Sequence, residues 1–107
     1  MIDRIKAFFG FFPTFGGVAR SPLWRYVRAQ HLKKYPMCAV TGRTYNLEVH
    51  HIRPYHLEPS LELDSHNLIT LNRDVHFIFG HLMNWSSYNK DIEKDARIMI
   101  KKMETRP

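Results

Sequence analysis

The chain is 107 residues long, with 44% hydrophobic and 24% charged residues, the composition of an ordinary folded protein rather than of a disordered or fibrous one. Sixteen Lys and Arg against ten Asp and Glu give a net charge of +6 and a pI near 9.7, which favours a polyanionic partner, nucleic acid first, over a basic surface that is merely solvated. The single cysteine, Cys38, cannot form an internal disulfide, and no stretch approaches the ~20 apolar residues of a membrane span, so the chain reads as a cytoplasmic protein without stable membrane association.

Residues 1–19 gather five of the seven phenylalanines, Phe8, Phe9, Phe11, Phe12 and Phe15, among three glycines and a proline. They read as an N-terminal arm, a short helix followed by a loop, whose rings pack on the domain and enlarge a small core. A membrane or partner anchor is the competing reading. The order of Arg4 and Lys6, AFFGFF and GGVA loosely mimics a signal peptide, but Gly10 and Pro13 break the apolar run and Asp3 interrupts the charged part.

Residues 20–107 read as one domain. Ser21-Pro22 predicts the start of a helix over residues 22–34, in which Trp24, Val27 and His31 recur at helical spacing among Arg20, Arg25, Arg28, Lys33 and Lys34. That basic face can lie along phosphates or simply be solvated. The Thr41-Gly42 turn then leads to a strand over residues 45–51. A loop over residues 53–66, with Pro54 and Pro59, joins it to a second strand, residues 68–71, and a helix over residues 73–83 follows. Strand, long loop, strand, helix is a ββα unit, and with the helices on either side it predicts an α+β fold. A last helix over residues 91–104 carries Ile92, Ala96, Met99 and Met103 on one face and reads as structural.

Seven histidines is a high number, and His50, His51, His76 and His81 fall within or beside the ββα unit. Neighbours in a strand point to opposite faces, so His50 and His51 serve one site only if the strand ends or twists there, which Pro54 makes plausible. A metal-dependent hydrolase needs one imidazole on the ion and another group, off the metal, to take a proton from the attacking water. Two adjacent histidines at a strand end can divide that labour.

The words LEVHHIRP, HNLITL and VHFIFGH, with the spacing between them, make the chain resemble the HNH endonucleases, the ββα-metal or His-Me finger nucleases. RSPLWRYVRAQHLKKYPMCAVTG and GHLMNWSSYN are similar to small phage and prophage members, and the resemblance extends over about residues 20–95, with its core at 38–84. It implies a DNA endonuclease that hydrolyses phosphodiester bonds to 5′-phosphate and 3′-hydroxyl ends. It implies that His51 is the general base, that His50 and His76 are metal ligands, and that Asn67 is the catalytic-site asparagine bracing the loop that orients the base. His81 stands five residues after His76 rather than the four of many relatives, with Gly80 in the fourth place, so metal binding, phosphate binding and packing all stay open for it. His31, His56 and His66 read as structural or surface residues.

The implied cofactor is one divalent ion, and all-imidazole ligation suits Zn, Ni, Co or Mn better than Mg without excluding it. Many relatives carry two CxxC pairs on a structural zinc. Here the first has become Cys38-Ala-Val-Thr41 and the second Asn72-Arg-Asp-Val75, so no structural zinc is expected. Arg53, Arg73, Arg25 and Arg28 are the candidate phosphate contacts. Phage packaging proteins are a conceivable partner beside DNA. The competing reading from another class is a DNA-binding module that keeps the HNH fold without cutting.

Overall fold

The computed structural model describes residues 14–15 and 18–107, with side chains from Arg20 onward. The arm expected over residues 1–19 lies almost wholly outside the described residues; only the backbone of β1 (Thr14–Phe15) and β2 (Val18–Ala19) is described, an antiparallel pair in which Thr14 faces Ala19. Among the described residues no helix is long and apolar enough to cross a membrane.

Helix α1 runs from Trp24 to Lys34, two residues later than the Ser-Pro signal predicts. Ser21 serves the turn before it, its hydroxyl accepting from Leu23 N–H at 3.1 Å and its carbonyl accepting from Trp24 N–H at 3.1 Å. Lys33 and Lys34 occupy the last turn, where cations complement the helix dipole.

Strands β3 (Leu47–His51) and β4 (Leu68–Asn72) form the antiparallel hairpin at the centre, with His50 opposite Ile69 and Val49 opposite Thr70. The 16 residues between them contain two short 3-10 turns, Pro59–Leu61 and Ser65–Asn67. Asn72 ends β4 and starts the next element: its Oδ1 accepts from Asp74 N–H at 3.1 Å, capping α2 (Arg73–Val75), while its Nδ2 donates to the Tyr45 carbonyl at 2.9 Å.

The helix expected over residues 73–83 is not one α-helix. After α2 the chain widens into a π-helical turn, His76–Gly80, closed by His81 N–H donating to the His76 carbonyl at 3.1 Å, and it leaves the helix at His81. Leu82 and Met83 then adopt the left-handed conformation, with φ of 55° and 64°.

Helix α3 (Ile92–Glu104) docks through Ile92 and Ala96, both buried. The core cluster is Cys38, Val40, Leu71, Val75 and Ala96, with Ala39, Leu47, Ile69, Phe79 and Met99 packed against it. Burying a side chain such as Leu71, fully covered here, contributes about 1.5–3 kcal/mol, and the cluster fixes the base of the hairpin from which the histidines project. The result is a small α+β fold in which one antiparallel hairpin and the short helix after it form a ββα unit between α1 and α3.

Candidate metal and catalytic site

Alternation along β3 puts Glu48 and His50 on one face and Val49 and His51 on the other. On the first face His50 meets the π-helical turn. The ring centroids of His50, His76 and His81 are 4.9 Å apart in every pair, and one ligand nitrogen from each can be chosen so that all three lie within 4.8 Å of one another. In an α-helix a five-residue step turns about 140° away from its start. The π-helical turn, with its i to i+5 bond, absorbs the extra residue and returns His81 to the side of His76. Gly80 lets the rings approach closely at the fourth place, because a Cβ there would stand 3.1 Å from His50 Cε1 and Nδ1 and 3.2 Å from His76 Cδ2, and the rings would have to give by a few tenths of an ångström.

The outer nitrogens of two of these rings are tied. Glu48 Oε1 lies 2.8 Å from His76 Nδ1, and the Ser87 carbonyl lies 2.7 Å from His81 Nδ1. Both partners can only accept, so both Nδ1 atoms carry a proton, and in the neutral rings both Nε2 atoms keep a lone pair. The Glu48 carboxyl is raised by burial but pulled below its ordinary value by the hydrogen bonds from His76 and Arg73, so it is ionised. A carboxylate behind a ligand histidine is the usual outer support of a metal site. Sequence reading missed Glu48; the signal was its place two residues before His50 on one strand, which forces a shared face.

His50 differs from both. It is 1% exposed, and neither ring nitrogen has a hydrogen-bond partner. Burial, then the charges of His76, His81 and His51, hold its pKa down at about 3. A buried ring nitrogen without a partner costs about 1–3 kcal/mol, and donating its lone pair to a cation removes that cost. Three imidazoles whose ligand nitrogens converge fit a divalent ion of the Zn, Ni, Co or Mn type, with open positions left for other donors.

His51 occupies the opposite face. Its ring packs on Trp24 of α1, centroids 4.5 Å apart, and the Glu62 carbonyl lies 2.9 Å from its Nε2. Nε2 therefore carries the proton and Nδ1 holds the lone pair. Burial, partly offset by that carbonyl and reinforced by Arg20 and His76, lowers the pKa to about 4, below the 6–7 of an ordinary imidazole. The ring is neutral at physiological pH.

Asn67 is buried and spans the loop between the strands. Its Oδ1 accepts from Arg53 N–H at 2.8 Å, and its Nδ2 donates to the carbonyls of Arg53 at 3.1 Å and Leu61 at 3.2 Å. Of the candidate phosphate contacts, Arg53 is ion-paired with Glu58 and Arg73 with Glu48, while Arg25 is exposed and Arg28 half-buried on α1. His66 is exposed and His31 is buried beside Tyr35, both away from the triad. Trp85 is half-exposed and rests on His76, His81 and Phe77 at 5.4, 4.9 and 4.8 Å.

Residues 38–84 match the family model described as HNH endonuclease. No curated protein and no solved structure matches the chain. The matched segment begins at buried Cys38, passes through both strands and ends after the π-helical turn, so it holds the three clustered histidines, His51 and Asn67. Residues 38–84 are thus similar to the HNH endonucleases over the segment that holds the ββα unit, which supports a nuclease-type function in general.

Proposed function

We propose that the protein is a metal-dependent DNA endonuclease in which His50, His76 and His81 hold one divalent ion and His51 is the general base. The observation that carries this is His50, a buried ring with two bare nitrogens facing two imidazoles whose tautomers leave Nε2 free. When bound, the ion would stabilise negative charge developing on the phosphate and on the leaving 3′ oxygen.

The chain's own residues supply the rest. His51 offers the Nδ1 lone pair to the attacking water and takes its proton, and its neutral form is available because burial keeps it deprotonated. Asn67 holds the loop carrying the Glu62 carbonyl by tying the 3-10 turn before β4 to Arg53 and Leu61. Glu48 orients His76 and neutralises part of the local positive charge. Attack on phosphorus with the 3′ oxygen leaving gives 5′-phosphate and 3′-hydroxyl ends. The net charge of +6 draws the polyanion to the surface, and Arg25 and Arg28 extend that charge along α1.

Nicking of supercoiled plasmid with Mn, Co, Ni, Zn or Mg, each against a chelator control, tests the reading. The expected result is metal-dependent cleavage that His51→Ala reduces about 100-fold or more, while metal and DNA affinities stay close to wild type. Salt-dependent DNA binding without cleavage under any metal would make the chain a binding module on the HNH fold. Metal occupancy has its own readout: Trp85 touches His76 and His81, so Ni or Co should quench its fluorescence, and Trp85→Phe should remove that quench.

A further inference from the structure

We infer that Arg20, Ser21 and Trp24, which precede the family-matched segment, act with Glu62 as a positioning brace that fixes the tautomer and aim of His51. The inference rests on the reading of His51 as the base, and it assigns a role to residues that the match over 38–84 leaves out.

Glu62 is the centre of the brace. Its side chain is only 4% exposed, in a loop whose regular structure is limited to two short 3-10 turns, where a buried carboxylate is costly unless paired. It is paired: Arg20 Nε donates to Oε2 at 2.9 Å, and Ser21 N–H donates to Oε1 at 3.1 Å and Oε2 at 3.2 Å. The backbone carbonyl of this same residue accepts from His51 Nε2. The next carbonyl back, Leu61, is held by Asn67. The two consecutive carbonyls are thus fixed from two sides, by an asparagine inside the matched segment and by a charge-assisted clamp outside it.

The clamp and the base also share a wall. The Arg20 guanidinium lies over Trp24 at 5.3 Å and over Tyr55 at 4.7 Å, and the Trp24 ring covers His51. A planar guanidinium fits both the stack and the carboxylate, which an ammonium would not. Were the ion pair only joining α1 to the loop, nothing would require the anchored residue to present its carbonyl to His51, or the stacked tryptophan to cover that ring.

The test uses the full chain. Single-turnover cleavage at saturating Mn is compared for wild type, Arg20→Ala and Glu62→Gln, and for each substitution in a His51→Ala background. Arg20→Ala and Glu62→Gln are expected to slow cleavage about 10- to 100-fold, the scale of a misplaced catalytic group, with DNA and metal affinities unchanged. Neither should slow the residual rate of His51→Ala further, and the Arg20→Ala/Glu62→Gln double variant should be no slower than the slower single one. Nitrogen-15 spectra of the histidines should show His51 protonated at Nε2 in wild type and mixed between tautomers in both variants. Wild-type rates in both variants, a further loss in the His51→Ala background, or a loss accounted for by weaker DNA binding would each overturn the brace. If Arg20→Ala does not fold, the near-isosteric Glu62→Gln carries the test alone. If His51→Ala itself cuts at the wild-type rate, the base reading fails, and the tautomer spectra still decide whether the brace exists.

Discussion

His50 and Cys38 are almost equally buried, at 1% and 2% exposure, and both are residue types that bind metals, yet their surroundings are opposite. His50 faces His76 and His81, each with one nitrogen tied and the other bare. Cys38 faces Val40, Leu71, Val75 and Ala96, and its sulfur accepts a 3.4 Å contact from Thr41 N–H. Burial pushes its thiol up, but hydrogen bonding from the Thr41 side chain and then from the backbone of Asn72, Thr41 and Val40 brings it below its ordinary value. A ligand becomes a site through convergent donors, not through its own chemistry. The Cys38–Gly42 turn is closed by Gly42 N–H donating to the Cys38 carbonyl at 2.9 Å, and Val75 packs in the same cluster.

The largest expected effect separates these two residues directly. His50→Ala should lower affinity for Ni or Co at least 100-fold, read by calorimetry, and abolish metal-dependent cleavage with it, because it removes one of three donors. Cys38→Ala should leave affinity unchanged. Equal losses in the two variants would mean that the ion sits elsewhere.

Gly80 sharpens the comparison from the helix side. A methyl group there must displace His50 or His76, both within about 3.2 Å of it, and neither is the far end of a flexible chain. Gly80→Ala should therefore weaken metal binding about 10-fold, and Glu48→Gln, which loosens His76, should do so to a similar extent. Wild-type affinity in both variants would show that the three rings need no such support.

The contrast also bears on what was legible in the sequence. The ββα order, both strands and the buried faces of α3 follow from periodicity and turn residues. The place of His81 did not, since only a π-helical turn makes a five-residue step close on itself, and no composition rule announces one. Glu48 was within reach of strand alternation, but the two adjacent histidines drew the reading past it. The brace on His51 was beyond reach: Arg20 and Glu62 are 42 residues apart, and their pairing depends on how a largely irregular loop folds back under α1. Arg53 and Arg73 stood out as bare cations in sequence and are each ion-paired with a glutamate in the structure.

A smaller effect should appear in the metal-free protein as pH falls. His50 is held at about 3 and His51 at about 4 when folded, against roughly 6.5 when unfolded, so between these values the unfolded chain binds more protons. Stability is then full above about pH 6.5 and declines as pH falls through the window, by at most about 1.4 kcal/mol per pH unit for each histidine. His31 and His81, also lowered chiefly by burial, act in the same direction. Urea unfolding in chelator at pH 7, 6 and 5 should show the decline, and His50→Ala should flatten it. A profile that is flat in wild type would contradict a buried, neutral His50.

The smallest expected effect concerns Cys38 itself. Its cluster holds one thiol among aliphatic side chains, and the polar atoms of Asn72, at the head of the second pair's position, are committed to the Asp74 N–H and the Tyr45 carbonyl. Three further donors of the kind a closed zinc site needs do not converge on the sulfur among the described residues, where the one such cluster is that of His50. We therefore expect refolding in strong chelator to restore the full far-UV helix signal, with added zinc changing it little. Cys38→Ala should cost only about 1 kcal/mol, the usual size of a modest core truncation. Loss of helix on chelation, with recovery at one equivalent of zinc in both wild type and His50→Ala, would place a folding metal near Cys38 after all; recovery in wild type alone would locate that metal at the three histidines. The His50→Ala background is what makes the measurement decisive, because it removes the site that is expected to bind zinc without being needed for the fold.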